Sequence, residues 1–117
     1  MPRSVAAYLV DILEACDAIE SVLENVDLGA YRGRRAVPSS VEREFILIGE
    51  AVASIRRLAP ELAAGITDAR VIVGFRNVLT HEYAAVDDDA VYGVATEDMA
   101  QLRRECASLL ARVESAG

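Results

Sequence analysis

Apolar residues recur every three or four positions along four long stretches of this chain. In the first, Val5, Leu9, Ile12, Cys16, Ile19, Leu23 and Val26 form a single stripe, the spacing that one face of a 3.6-residue helix presents. It predicts a helix capped by Ser4 and running to about Asn25. Residues 26–37 carry Gly29 and Gly33 and read as a linker, with a short helical turn around Leu28–Tyr31. Pro38-Ser39-Ser40 then opens a second helix, with Ser39 or Ser40 as cap. Its stripe is Val41, Phe45, Ile48, Val52, Ile55 and Ala59, and Pro60 stops it. Gly49 permits close packing of a neighbouring helix. Residues 61–65 form a connector, and Thr67 or Asp68 caps a third helix. Asp87, Asp88 and Asp89 bracket the start of the fourth, where carboxylates are favourable. Gly93 and Thr96 mark a bend or restart, and Met99, Leu102, Cys106, Leu109 and Val113 carry the stripe onward. The prediction is one all-α domain over residues 1–117: an antiparallel four-helix up-and-down bundle with short extra helical turns in the connections.

The third helix is the one whose polar side is chemically distinctive. At about 100° per residue, Val71, Ile72, Phe75, Val78 and Leu79 fall on one side. Arg76, Asn77, Thr80 and His81 fall opposite, within an arc of roughly 140°. Arg76 with Thr80, and Asn77 with His81, are i, i+4 pairs that can touch. His81 is the only histidine in the chain. A permanent cation, an amide and a group that titrates near neutrality suit phosphate chemistry, since Arg binds phosphate and stabilises developing charge while His moves protons. Spacing alone leaves open whether His81 is catalytic or an ordinary surface histidine. Truncating Arg76 or His81, opposite the apolar face, is expected to cost little stability. Glu50 lies beside the second stripe, either as a surface group or as a carboxylate that orients Arg76 or His81 by a charged hydrogen bond.

Composition narrows the classes. Hydrophobic residues are 53% and charged residues 26%, which fits a globular chain. No apolar run approaches the roughly 18 residues of a membrane span, and the first helix carries Asp11 and Glu14, unlike a signal peptide. The expected location is the cytoplasm. Cys16 and Cys106 sit at apolar positions and read as buried free thiols. With one His and no paired Cys spacing, no structural zinc site is expected; the Asp87–Asp89 run reads as a cap. No cofactor motif is present. Nuclease chemistry here would run without a bound metal, or with one held by carboxylates of no recognisable spacing. The net charge of -7 opposes non-specific nucleic-acid binding. It suits a partner with a basic face. All twelve basic residues are arginine, with Arg32, Arg34 and Arg35 clustered in the linker and Arg56-Arg57 at a helix end.

Arg76-(x4)-His81-x-Tyr83 resembles the Arg-x4-6-His motif of HEPN-domain ribonucleases, and more closely the Arg-x4-His-x-Tyr form of the HepT-type toxins. Phe45-Ile46-Leu47-Ile48-Gly49-Glu50-Ala51 is similar to that family's "IGEA" helix, Leu58-Ala59-Pro60-Glu61-Leu62 to its "SPEL" segment, and Tyr83-Ala84-Ala85-Val86-Asp87 to its "YFGVD". The similarity runs from about Val41 to Cys106. It departs at Ala69-Arg70, where the family often has Trp-Arg.

The resemblance implies a metal-independent RNA-cleaving toxin of a type VII-like toxin–antitoxin system. It implies a homodimer with the active cleft at its interface, His81 as general base or acid, Arg76 as phosphate binder and Asn77 in support. It also implies a cognate MntA-type nucleotidyltransferase antitoxin that transfers AMP onto Tyr83. A different class remains open: HEPN-like bundles also serve as non-catalytic substrate- or partner-binding subunits of nucleotidyltransferases, and the acidic charge suits that role. A bare structural dimer is the third reading.

Overall fold

The computed structural model describes residues 3–82 and 86–116. Ser4 has extended backbone, and its hydroxyl accepts from the Ala7 N–H at 3.1 Å, so α1 (Val5–Leu23) begins where a cap is available. Asn25 turns the chain with φ 61°, a left-handed conformation that Asn tolerates. Asp27 then caps α2 (Leu28–Gly33) by accepting from the Ala30 N–H at 2.8 Å.

The next helix, α3 (Ala36–Leu58), starts earlier than the Pro38-Ser39-Ser40 signal implies. Ser39 and Ser40 lie exposed inside it, and Arg35 precedes it without a side-chain cap bond. The physical reason is that the first-turn N–H groups have no intrahelical partner in any case, so Pro38 loses nothing there and the helix extends upstream of it. Ala59 then breaks the helix ahead of Pro60, which sits at the first position of α4 (Pro60–Ala63).

The helix α5 (Ala69–His81) follows; neither Thr67 nor Asp68 caps it with its side chain as expected. Instead Glu105 accepts the Thr67 N–H at 3.0 Å and the Thr67 hydroxyl. The last stretch comprises α6 (Asp88–Gly93), a π-helical turn over Val94–Asp98 and α7 (Met99–Ala116). Asp87 caps α6 through the Asp89 N–H at 3.0 Å. The bend expected near Gly93 and Thr96 is this π-turn, where the Thr96 hydroxyl donates to the Tyr92 carbonyl at 2.9 Å.

The described residues are all-helical, with no strand. The helix α1 packs against α3 and α7, and α3 packs against α5. Among the described residues α5 and α7 meet only marginally, so the ring of long helices is open between them. The core is supplied by Leu9, Ile12, Cys16 and Ile19 of α1, by Val41, Phe45, Ile48, Val52 and Ile55 of α3, and by Leu102, Cys106 and Leu109 of α7. The α5 helix adds Ala69 and Leu79 as buried residues, with Ile72, Val73 and Phe75 partly buried against the core. Arg103 clips α7 to α1 through Asp17 and, at 2.6 Å, Glu20. Arg32 holds Asp89 through both carboxylate oxygens, with Nε at 2.7 Å. That pair joins α2 to α6 and commits Arg32 of the linker arginine cluster. Tyr31 and Tyr92 pack beside it as a tilted pair, with centroids 5.3 Å apart and ring planes at 58°. No described helix is long and apolar enough to cross a membrane.

Candidate active site

The burial of α5 follows the expected face at Ile72, Phe75, Val78 and Leu79 and departs from it at Val71 and Arg76. Val71, expected inside, is 68% exposed. Arg76, expected outside, is half-buried, on the side that carries Ala69, Ile72 and Leu79 toward α3. The cause lies in side-chain size. Gly49 on α3 leaves a shallow place at which the two helices approach closely, and the stem of Arg76 fills it. A β-carbon built on Gly49 would stand 2.2 Å from Cβ and 2.6 Å from Cγ of Arg76. The guanidinium Nε is sealed from solvent with no hydrogen-bond partner among the described residues. The rest of the fork likewise makes no bond to them. Arg76 is therefore a cation with a fixed stem and an uncommitted head. The expectation that it stands opposite the packed face is corrected, and with it the reason given for a harmless truncation.

Asn77, Thr80 and His81 are exposed, as their place on the polar arc implies. The Thr80 hydroxyl donates to the Arg76 carbonyl at 2.8 Å, so Thr80 is committed to its own helix and does not hold the Arg76 side chain. His81 is the last residue of α5, and Glu82 follows as its C-cap. The side chains of His81 and Asn77 make no hydrogen bond with other described residues. Glu50 is exposed and lines a shallow groove with Tyr8, Asp11 and Glu14 of α1. It bonds neither Arg76 nor His81, so of the two readings of Glu50 the structure favours the surface group over a carboxylate that orients them. Tyr83 lies outside the described residues.

Beside Arg76 on the same helix, the displaced apolar residues form a cleft. Val71, Ile72 and Phe75 of α5 face Phe45 and Ile48 of α3 and Met99 and Leu102 of α7 around a space of about 180 Å³. Phe45 and Phe75 meet edge to face at 5.3 Å. Sequence reasoning missed this surface because it assigned the same residues to the core. Among the described residues no group of three or more His, Cys, Asp or Glu could hold a metal ion.

Comparison with known proteins follows the same line. Residues 12–109 match the model of the family described as "Ribonuclease HepT-like". Two curated relatives, both from Methanocaldococcus jannaschii, carry the names "Putative RNase MJ1380" and "Putative RNase MJ1216". The first is 27% identical over 88% of this chain and 94% of its own length. The second is 29% identical over 96% of this chain and 92% of its own. No solved structure gives a significant match.

Proposed function

This chain belongs to the HepT-like ribonuclease family and is a ribonuclease, and from that premise we propose that it cleaves RNA with Arg76 and His81 as the acting groups. RNA carries its own nucleophile. The 2′-oxygen attacks the adjacent phosphorus, an imidazole takes the 2′ proton, and the bond from phosphorus to the 5′-oxygen breaks as that oxygen receives a proton. The products are a 2′,3′-cyclic phosphate and a 5′-hydroxyl. Arg76 binds the phosphoryl oxygens and stabilises the charge that builds on them, while Asn77 positions the phosphate or the imidazole. The observation that carries this reading is the pairing, five residues apart on one helix, of an arginine with a fixed stem and uncommitted head and a solvent-exposed histidine.

Base and acid are two tasks, and the chain has one histidine. A homodimer related by a two-fold axis supplies the second, together with a second Arg76. The cleft beside α5, with Val71 68% exposed, offers the apolar surface such an assembly would cover. The reading extends to control in a toxin–antitoxin pair. An MntA-type nucleotidyltransferase partner would join the Tyr83 phenol oxygen to the α-phosphorus of ATP, releasing pyrophosphate and the phenol proton. The bound nucleotide, two residues after His81, would then oppose an RNA phosphate by charge and bulk.

The test is RNA cleavage by purified protein in the presence of a chelator. Wild type is expected to cleave. His81→Ala and Arg76→Ala should each lose about a hundredfold or more in kcat and remain folded by circular dichroism. A folded His81→Ala protein that cleaves at the wild-type rate refutes the assignment. Activity abolished by the chelator and restored by a divalent ion refutes the metal-independent route.

A further inference from the structure

We propose that Gly49 is the positioning residue for Arg76: its missing side chain sets how near α5 lies to α3, and so where the guanidinium head is held. The proposal rests on the reading of Arg76 as the phosphate-binding cation and adds a residue that makes no contact with RNA.

The argument is steric. Carbon atoms in contact settle about 3.5–4.0 Å apart, whereas a β-carbon on Gly49 would meet Arg76 Cβ at 2.2 Å and Cγ at 2.6 Å. Rotamer change gives no relief, because the Cβ of Arg76 is fixed by its own backbone. The Ile72 carbonyl, at 3.4 Å, closes the same space. Any side chain at 49 must therefore move α5 away from α3 or turn it, by on the order of 1 to 2 Å. Other described glycines do not share this property. Gly33, Gly74 and Gly93 have open space where a β-carbon would stand, and the nearest atom to one on Gly65 is the mobile end of Leu109. The second observation is the sealed Nε of Arg76. An unpaired donor costs stability where it stands, so the site keeps the arginine stem buried against an energetic preference, and Gly49 provides the space that lets it do so.

The experiment is Gly49→Ala, with Gly93→Ala as the control for adding a methyl group to a helical glycine. A displacement of about 1 Å in a positioning group costs about a hundredfold in rate. Gly49→Ala should lose that much in kcat with KM changed less than about threefold, while Gly93→Ala keeps wild-type cleavage. Nitrogen-15 spectra supply a readout independent of catalysis. The Arg76 Nε–H signal should exchange slowly in wild type and in Gly93→Ala, and should shift and exchange fast in Gly49→Ala. A third arm holds even if Gly49→Ala folds poorly. In an Arg76→Gly background, which lacks both clashing carbons, the alanine at 49 should carry no thermal penalty. Wild-type kinetics and an unmoved Nε–H signal in Gly49→Ala would overturn the proposal, as would a thermal penalty that persists in the Arg76→Gly background. If wild type itself cleaves no RNA, the ribonuclease role of Arg76 fails, and the spectra and thermal data still decide the steric one.

Discussion

At the scale of single residues, the cation of the site is held at a cost. Sealing an unpaired donor costs about 1–3 kcal/mol, and Nε of Arg76 is such a donor. Lysine carries a methylene at the corresponding point of its chain. Arg76→Lys is therefore expected to raise stability by about 1 kcal/mol, read by urea denaturation, while RNA cleavage falls because the planar two-pronged fork is gone. A lysine variant less stable than wild type would show that Nε has a partner in solution. Much at this scale was legible from the chain: the exposed histidine, the amide beside it, the buried thiols and the cap on Ser4 all follow from spacing and residue type. Arg76 was legible as a cation and illegible as a packed one. Hydrophobicity places every arginine outside, and only the vacancy at Gly49 on another helix tells where its stem goes. Glu50 fails for the same kind of reason, since one residue of helical rotation separates the α5-facing Gly49 from a carboxylate turned toward α1.

Helix existence was the easiest property to read at the scale of elements, because stripes over α1, α3 and α7 are long and regular. The facing of α5 was readable except at two places. Val71 stands exposed beside a cleft that Ile72 and Phe75 also line, while Arg76 makes the close approach to Gly49. The π-turn was visible only as a weak signal at Gly93 and Thr96, for it is fixed by what lies on either side. Upstream, Val91 is buried, Tyr92 packs at a tilt against Tyr31 and donates to the Val26 carbonyl at 2.8 Å, and Asp89 meets Arg32. Downstream, Met99 and Leu102 face the core. The extra residue of a π-turn reconciles the two faces. Deleting exposed Glu97 should restore a regular helix and rotate α6 by about 100° relative to α7. Loss of Val91 burial and the tyrosine pair should then cost on the order of 3 kcal/mol, read as a fall in the thermal midpoint. A deletion variant with an unchanged midpoint would contradict this account.

For the whole molecule, the seam between α1 and α7 sets a limit on alkaline stability. Burial pushes the Cys16 thiol up to about 11 and the Cys106 thiol up to about 12, from roughly 8.5 when free. The folded protein thus keeps protons that the unfolded chain releases, and stability declines as pH rises from about 8.5 through 11. Each unit of separation is worth about 1.4 kcal/mol, so the two thiols together should cost several kcal/mol by the top of that range. Urea midpoints taken between about pH 8 and 11 should fall steeply in wild type and less steeply in a Cys16→Ala, Cys106→Ala double variant. Equal slopes would show that the thiols are not the titrating groups. The open side of the helix ring could not be read from the chain, because it is a relation between two helices that each look complete alone.

That open side has a thermodynamic consequence. The α1, α3 and α7 helices supply most of the buried core, whereas α5 adds two buried residues, Ala69 and Leu79, with Ile72, Val73 and Phe75 partly buried against that core, together with the Arg76 stem and the Glu105 hold on Thr67. Elements with few buried apolar contacts open at lower free energy than the molecule as a whole. With fewer buried residues than α1, α3 or α7, the helix we propose to carry the chemistry is expected to open locally at lower free energy than the whole molecule. A molecule that binds along its open edge and stabilises the docked helix would then be expected to raise cleavage without touching Arg76 or His81.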